Sequence, residues 1–162
     1  GVSAERAAAV DFSAPYMEVE QGCLVRAGVP IASAAELDRP GVRVGVIEKA
    51  GADALLSKTL KSATLVRVKS TGDLQALLKS GEADVIVATK AFLFGQLASQ
   101  PGAKVLDGRI LVEPIAMAVP KGRDSAASSA VADFVEEAKR SGLVKSAIES
   151  SGLRGVVVAP LK

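Results

Sequence analysis

Three times between residues 41 and 102 a short run of β-branched residues gives way to an amphipathic segment, and that alternation confines the chain to an α/β layer structure. The runs cover residues 42–47, 64–68 and 84–88. Each is followed by a helical pattern: residues 52–60 carry Leu55, Leu56, Thr59 and Leu60 on one side, and the next helix carries Leu74, Leu77 and Leu78. Ser70 or Thr71 caps the second helix and Ser80 with Gly81 stops it, while Pro101 and Gly102 end a third helix over residues 90–98. Three βα units in a row predict a small parallel sheet.

Two longer strand patterns, residues 18–27 and 110–120, stand on either side of this block and read as ribbons that carry the chain into it and back. Beyond Pro120, Lys121 and Gly122 lies an amphipathic helix over residues 126–140 with the stripe Val131, Phe134, Val135 and Ala138. Ser141 and Gly142 end it, a short helix follows over residues 144–149, and residues 155–160 are a last strand or an extended arm.

Composition narrows the function. Apolar residues make up 49% of the 162 and charged residues 23%, enough to build a core in one ordinary domain or two small lobes. The net charge is +2 with 3% aromatics, and the basic residues are interspersed with acids, so neither the basic stripe nor the stacking surface of a nucleic-acid binder is present. Histidine is absent, which removes the commonest general base, the usual zinc ligand and every Ser-His or Cys-His pair. Asp11, Glu18, Glu20, Glu48 and Glu113 show no acid and base spacing, so no catalytic residue, metal or cofactor is expected. The lone Cys23 reads as a small buried hydrophobe.

The ordered series AERAAAVDFSAPY, QGCLVRAG, ELDRPGVRVGV, LKSGEADVIV and EPIAMAVPKG resembles the family 3 periplasmic solute-binding proteins, the polar amino-acid-binding branch of ABC importers. The resemblance runs over nearly the whole chain. It implies a type II periplasmic-binding-protein-like α/β fold: residues 1–27 as the end of lobe 1 with the first hinge strand, 28–108 as lobe 2, 109–120 as the return hinge strand and 121–162 as the helical part of lobe 1. It also implies a binding protein rather than an enzyme, exported to the periplasm or the outer face of the membrane with a cleaved leader, and partnered by a membrane permease. A sensing domain of a receptor or kinase, and a dehydratase on the same scaffold, are the other readings. In this family the Phe-Ser-x-Pro-Tyr turn falls well inside the protein, so the N-terminal part of lobe 1 is expected to be missing. The stripe Val131, Phe134 and Val135 is then expected to be exposed, or covered by a second copy in a homodimer.

Site residues follow from the same resemblance. Arg6 matches the family arginine that grips a ligand carboxylate, a task suited to the planar fork of a guanidinium. Ser3 stands where the family often has a threonine, with Gly1 and Val2 beside it. In lobe 2 the family places Gly and two small hydroxyl residues after the first strand, where this chain has Glu48, Lys49, Ala50 and Gly51. After residues 84–88 it places an aspartate for the ligand ammonium, where Thr89 and Lys90 stand here. Lys49 and Lys90 are either solvated side chains at helix starts or cations facing the cleft. In the second case, with Arg6, they suit an organic acid better than an ordinary amino acid.

Overall fold

Phe12, Ser13, Ala14, Pro15 and Tyr16, expected as a turn, are extended backbone. In the computed structural model, which describes residues 1–162, a four-residue helix α1 (Ala4–Ala7) leads into one long strand β1 (Val10–Val25). The turn signal of Ser13 and Pro15 is overridden by pairing with strands far along the chain. Pro15 forfeits a backbone donor, and Ser13 works around the ladder locally: its Oγ accepts from the Met117 amide at 3.1 Å and donates to the Ala14 carbonyl at 2.7 Å.

The chain divides into two compact units, Gly1–Val19 with Val112–Lys162, and Glu20–Leu111. It passes between them twice, inside β1 and at Leu111.

The second unit holds the three expected βα repeats: β2 (Arg43–Ile47), α2 (Gly51–Thr59), β3 (Thr64–Val68), α3 (Thr71–Ser80), β4 (Val85–Thr89) and α4 (Lys90–Gln96), then a 3-10 turn and the short β5 (Lys104–Val105). The sheet order is β3-β2-β4-β1-β5. β2 is parallel to β3 and β4, and β1 is antiparallel to β4 and β5. Strand alternation sends side chains to two cores, one on each face. Cys23, Val25, Val44, Val46, Val85 and Val87 meet Leu56 of α2 together with Ile31 and Leu37. Leu24, Ile86 and Ala88 meet Leu74, Leu77 and Leu78 of α3 and Leu93 of α4. Each fully buried Leu or Val contributes on the order of 1.5–3 kcal/mol. Burial pushes the Cys23 thiol up to about 12, so it stays protonated and inert. α3 is bounded by local chemistry: the Ser70 side chain accepts from the Asp73 amide, and Gly81 closes the helix at φ +76°.

The first unit is built on the other half of β1. β6 (Leu111–Pro120) pairs with it, and β7 (Val156–Val158) joins it antiparallel through Met17 to Val19. Two helices follow β6, α5 (Ser125–Arg140) and α6 (Leu143–Ser151). Of the stripe expected to be exposed, only Phe134 is, at 52%. Val131 is half-buried and Val135 fully buried, because α5 turns residues 135, 138 and 139 inward. Phe134 borders an apolar hollow of about 340 Å³, lined also by Tyr16, Leu143, Ile148, Leu153 and Val156. No helix is long and apolar enough to cross a membrane.

Candidate solute site

The sequence-derived site residues fall into two groups, one in each unit. In the first unit α1 is too short to stand on its own and is held at its start by Ser3, whose Oγ accepts from the Arg6 amide at 3.2 Å. The Arg6 guanidinium is exposed, and its Nη1 donates to the Gly1 carbonyl at 2.8 Å. Val2 is fixed to β6 by its amide, which donates to the Pro114 carbonyl at 3.0 Å. A side chain added at Gly1 would meet Glu113 Oε1 at 3.1 Å and Arg6 Nη1 at 3.7 Å, so glycine leaves the space in which these two groups sit. Arg6 and Ser3 are thus brought together on one segment.

The second group lies where the parallel strands end. β2 and β4 are neighbours, with Val44 opposite Val85 and Gly45 opposite Ile86, so Lys49, Ala50 and Gly51 share one edge with Thr89 and Lys90. In an open α/β sheet this carboxyl edge is where ligands bind. The loop after β2 keeps the ladder for one more residue, the Glu48 amide donating to the Val68 carbonyl at 2.8 Å. Lys49 then turns with φ +61°, a left-handed conformation that costs a non-glycine residue about 1–2 kcal/mol. Asp53 offsets that cost by accepting from the Lys49 amide at 2.9 Å, and it binds Ser57 and Arg67 as well. Burial would raise the Asp53 carboxyl. The Lys49 amide, Arg67 and Ser57 together hold it below the usual range. Ala50 and Thr89 precede α2 and α4 without a side-chain cap bond. The Lys49 side chain is exposed, as expected of a solvated helix-start residue.

Lys90 is neither solvated nor unpaired. Its Nζ lies 2.7 Å from Glu20 Oε2 on β1, and the Lys90 side chain is only 16% exposed. Arg109 Nη1 approaches the other oxygen of Glu20 at 3.4 Å. The hydrogen bond from Lys90 is the main influence holding the Glu20 carboxyl below its ordinary value, against some desolvation, with Arg109 adding to it.

Comparison with known proteins bears on what this arrangement serves. No family model matches the chain. It is 26% identical, over 126 residues, to the ABC transporter glutamine-binding protein GlnH of Bacillus subtilis; the match takes in 78% of this chain and 46% of that protein. Among solved structures it superposes on a solute receptor for L-cysteine of Neisseria gonorrhoeae with a TM-score of 0.79 and 26% identity, over 98% of this chain and 67% of that one. In fold and in sequence it is similar to amino-acid-binding proteins of ABC transporters. An ancestral arginine-binding protein bound to glutamine gives a TM-score of 0.78 at 28% identity, over 92% of this chain and 66% of that one. The chain therefore spans about half the length of the curated relative it matches.

Set beside this family, the second unit carries residues that the sequence reading passed over. Glu20 belongs to the acids without catalytic spacing, and Arg109 stands in no motif. Their relation to Lys90 joins positions 70 and 89 residues apart, a separation that leaves no local pattern. Asp53, three residues after Ala50, did carry a local signal: an acid in the first turn of a helix commonly reaches back to the amides before it.

Proposed function

We propose that this chain belongs to the extracytoplasmic solute-binding component of an ABC uptake transporter and takes a small carboxylate-bearing solute. Arg6, with Ser3 beside it in the first unit, is its anchor for the carboxylate, and Lys49, Ala50, Gly51, Thr89 and Lys90 are the solute contacts of the second unit. The permease in the membrane is the partner that receives the solute, and the periplasm or the outer membrane face is the location. The observation that carries the reading is Arg6 itself. It is an exposed forked donor on a helix too short to serve as packing, in a chain whose relatives are named as amino-acid-binding proteins and receptors. One of its donors is held by the Gly1 carbonyl, which steadies the guanidinium and leaves the rest of the fork to pair with a carboxylate. A guanidinium and two ammonium groups among these contacts suit the recognition of an anion.

A thermal-shift screen tests the reading. Ligands that bind the folded chain alone raise its midpoint, by about 2.7 kcal/mol of added stability at a hundredfold excess over Kd. Carboxylic acids are expected to raise it and neutral sugars to leave it unmoved. A panel in which no carboxylate shifts the midpoint overturns the proposal. Mass spectrometry of small molecules released from the denatured protein would then identify the natural solute.

A further inference from the structure

Glu20, Lys90 and Arg109 form a cluster whose chemistry goes beyond a surface ion pair. The Lys90 stem lies flat on β1: a side chain added at Gly22 would meet Lys90 Cγ at 3.1 Å and Cε at 3.3 Å. Gly22 and Glu20 are two apart on the strand and so share a face, which guides the ammonium from the start of α4 back to the Glu20 carboxylate. Both oxygens of Glu20 are engaged, Oε2 by Lys90 at 2.7 Å and Oε1 by Arg109 at 3.4 Å. The Glu20 side chain is 24% exposed, so this pair is screened less than one standing free in water. The next residue, Gln21, is paired with Thr89, which places the cluster at the carboxyl end of β4 among the candidate solute contacts of the second unit.

An amino acid brought to this edge presents an ammonium, and a carboxylate is what an ammonium needs. Glu20 would meet it, but an ammonium of the same chemistry already sits there at hydrogen-bond distance, supplied by the protein. Counting charges, Lys90 and Arg109 outnumber Glu20, so the cluster has one positive charge in excess. A third cation is repelled and an anionic group is drawn in.

We propose that Lys90 is a specificity-determining residue of the solute site: its ammonium takes the place of a ligand ammonium against Glu20, so that the site accepts carboxylic acids lacking an amino group, dicarboxylates above all. This inference rests on the solute-binding reading given above. The expected switch is simple. Removing the Lys90 ammonium frees Glu20 Oε2, leaving Oε1 to Arg109, and turns the preference toward amino acids.

Glutarate and glutamate, which differ by one ammonium group, are the probes. Calorimetry on the 162-residue chain is expected to show glutarate binding at least about tenfold more tightly, equivalent to roughly 1.4 kcal/mol. Lys90→Met keeps the apolar stem over Gly22 and deletes the charge, and it is expected to move the glutamate-to-glutarate ratio toward glutamate by about tenfold or more. Adding Glu20→Gln to that variant is expected to abolish the gain. Lys90→Gln serves as the second variant, with thermal unfolding as the check that each protein is folded. A merely structural role for Lys90 would change both affinities together. An unchanged ratio with binding intact, or a wild-type preference for glutamate, overturns this inference alone. If neither compound binds any of the folded proteins, the carboxylate-solute reading falls and takes the inference with it.

Discussion

Arg43 grips Asp84 with two parallel donors: Nη2 lies 2.8 Å from Oδ1 and Nε 3.1 Å from Oδ2, while the Arg43 amide also donates to Oδ2 at 3.0 Å. Arg26 adds a further bond to Oδ1 at 2.9 Å. These bonds tie together the start of β2, the end of β1 and the residue before β4, at the edge opposite the candidate site. The Arg43 hydrogen bonds, followed by those of Arg26, outweigh desolvation and bring the Asp84 carboxyl down to about 2. A depressed carboxylate adds stability that is fully present above its unfolded value near 4 and is lost as the pH falls through about 2. Asp84→Asn should therefore cost about 2 kcal/mol at pH 7, and the gap between the two proteins should close between about pH 4 and pH 2. Urea unfolding at several pH values measures this. A gap that stays constant across that window would show that the charge is not responsible.

Gly45 in β2 faces α3 with no room to spare. A Cβ there would lie 3.1 Å from Ile86 Cγ2, 3.2 Å from Leu74 Cδ1 and 3.3 Å from Leu77 Cδ1, all inside the core on that face. Gly45→Val is expected to destabilise by about 1–3 kcal/mol through overpacking, in spite of the better strand propensity of valine. Chemical denaturation reads the change, and an unaltered midpoint would mean that α3 can move away freely.

How far the sequence foretold these features depends on the range of the interactions. α3 was legible to within a residue because both its ends are local: Ser70 accepts from the Asp73 amide three residues on, and Gly81 supplies the left-handed turn. The strands β2 and β4 were legible because burial on both faces leaves a run of apolar, largely β-branched residues, and β3, at the sheet edge and only half-buried, still shows Leu65, Val66 and Val68. The first part of β1 was not. Its Ser13 and Pro15 carry turn chemistry, and the bond that stabilises the extended form comes from Met117, 104 residues away. The same limit applies to the candidate site. Arg6 with Ser3 lies within one turn of chain and could be read from a motif, whereas the charge state around Lys90 depends on a strand partner that no spacing rule reveals. Phe134 shows a third limit: the period of α5 located an apolar stripe without saying which of its members would be covered.

Lys139 holds the C-terminal segment to α5. Its side chain is 1% exposed, pairs with Glu136 at 2.8 Å and donates to the Pro160 carbonyl at 2.7 Å. Replacing it by methionine fills most of the same volume but leaves that carbonyl without its donor, a loss of about 1–3 kcal/mol. Hydrogen exchange should show the Ala159 amide, which bonds the Tyr16 carbonyl, losing protection ahead of the core strands. Equal protection of Ala159 in Lys139→Met and wild type would refute a tethering role.

The most direct test of the account is the affinity of Arg6 variants for a dicarboxylate. Arg6→Ala removes the forked donor from a helix that buries no residue, so folding should be little affected and binding should carry the whole effect. Calorimetry with glutarate is predicted to show a loss of about 1.5–3 kcal/mol, roughly tenfold to over a hundredfold in Kd. Arg6→Lys should recover only part of it, since a lysine cannot present two parallel donors to one carboxylate. Glutarate binding as tightly to Arg6→Ala as to the wild-type chain would contradict the assignment of Arg6 as the carboxylate anchor.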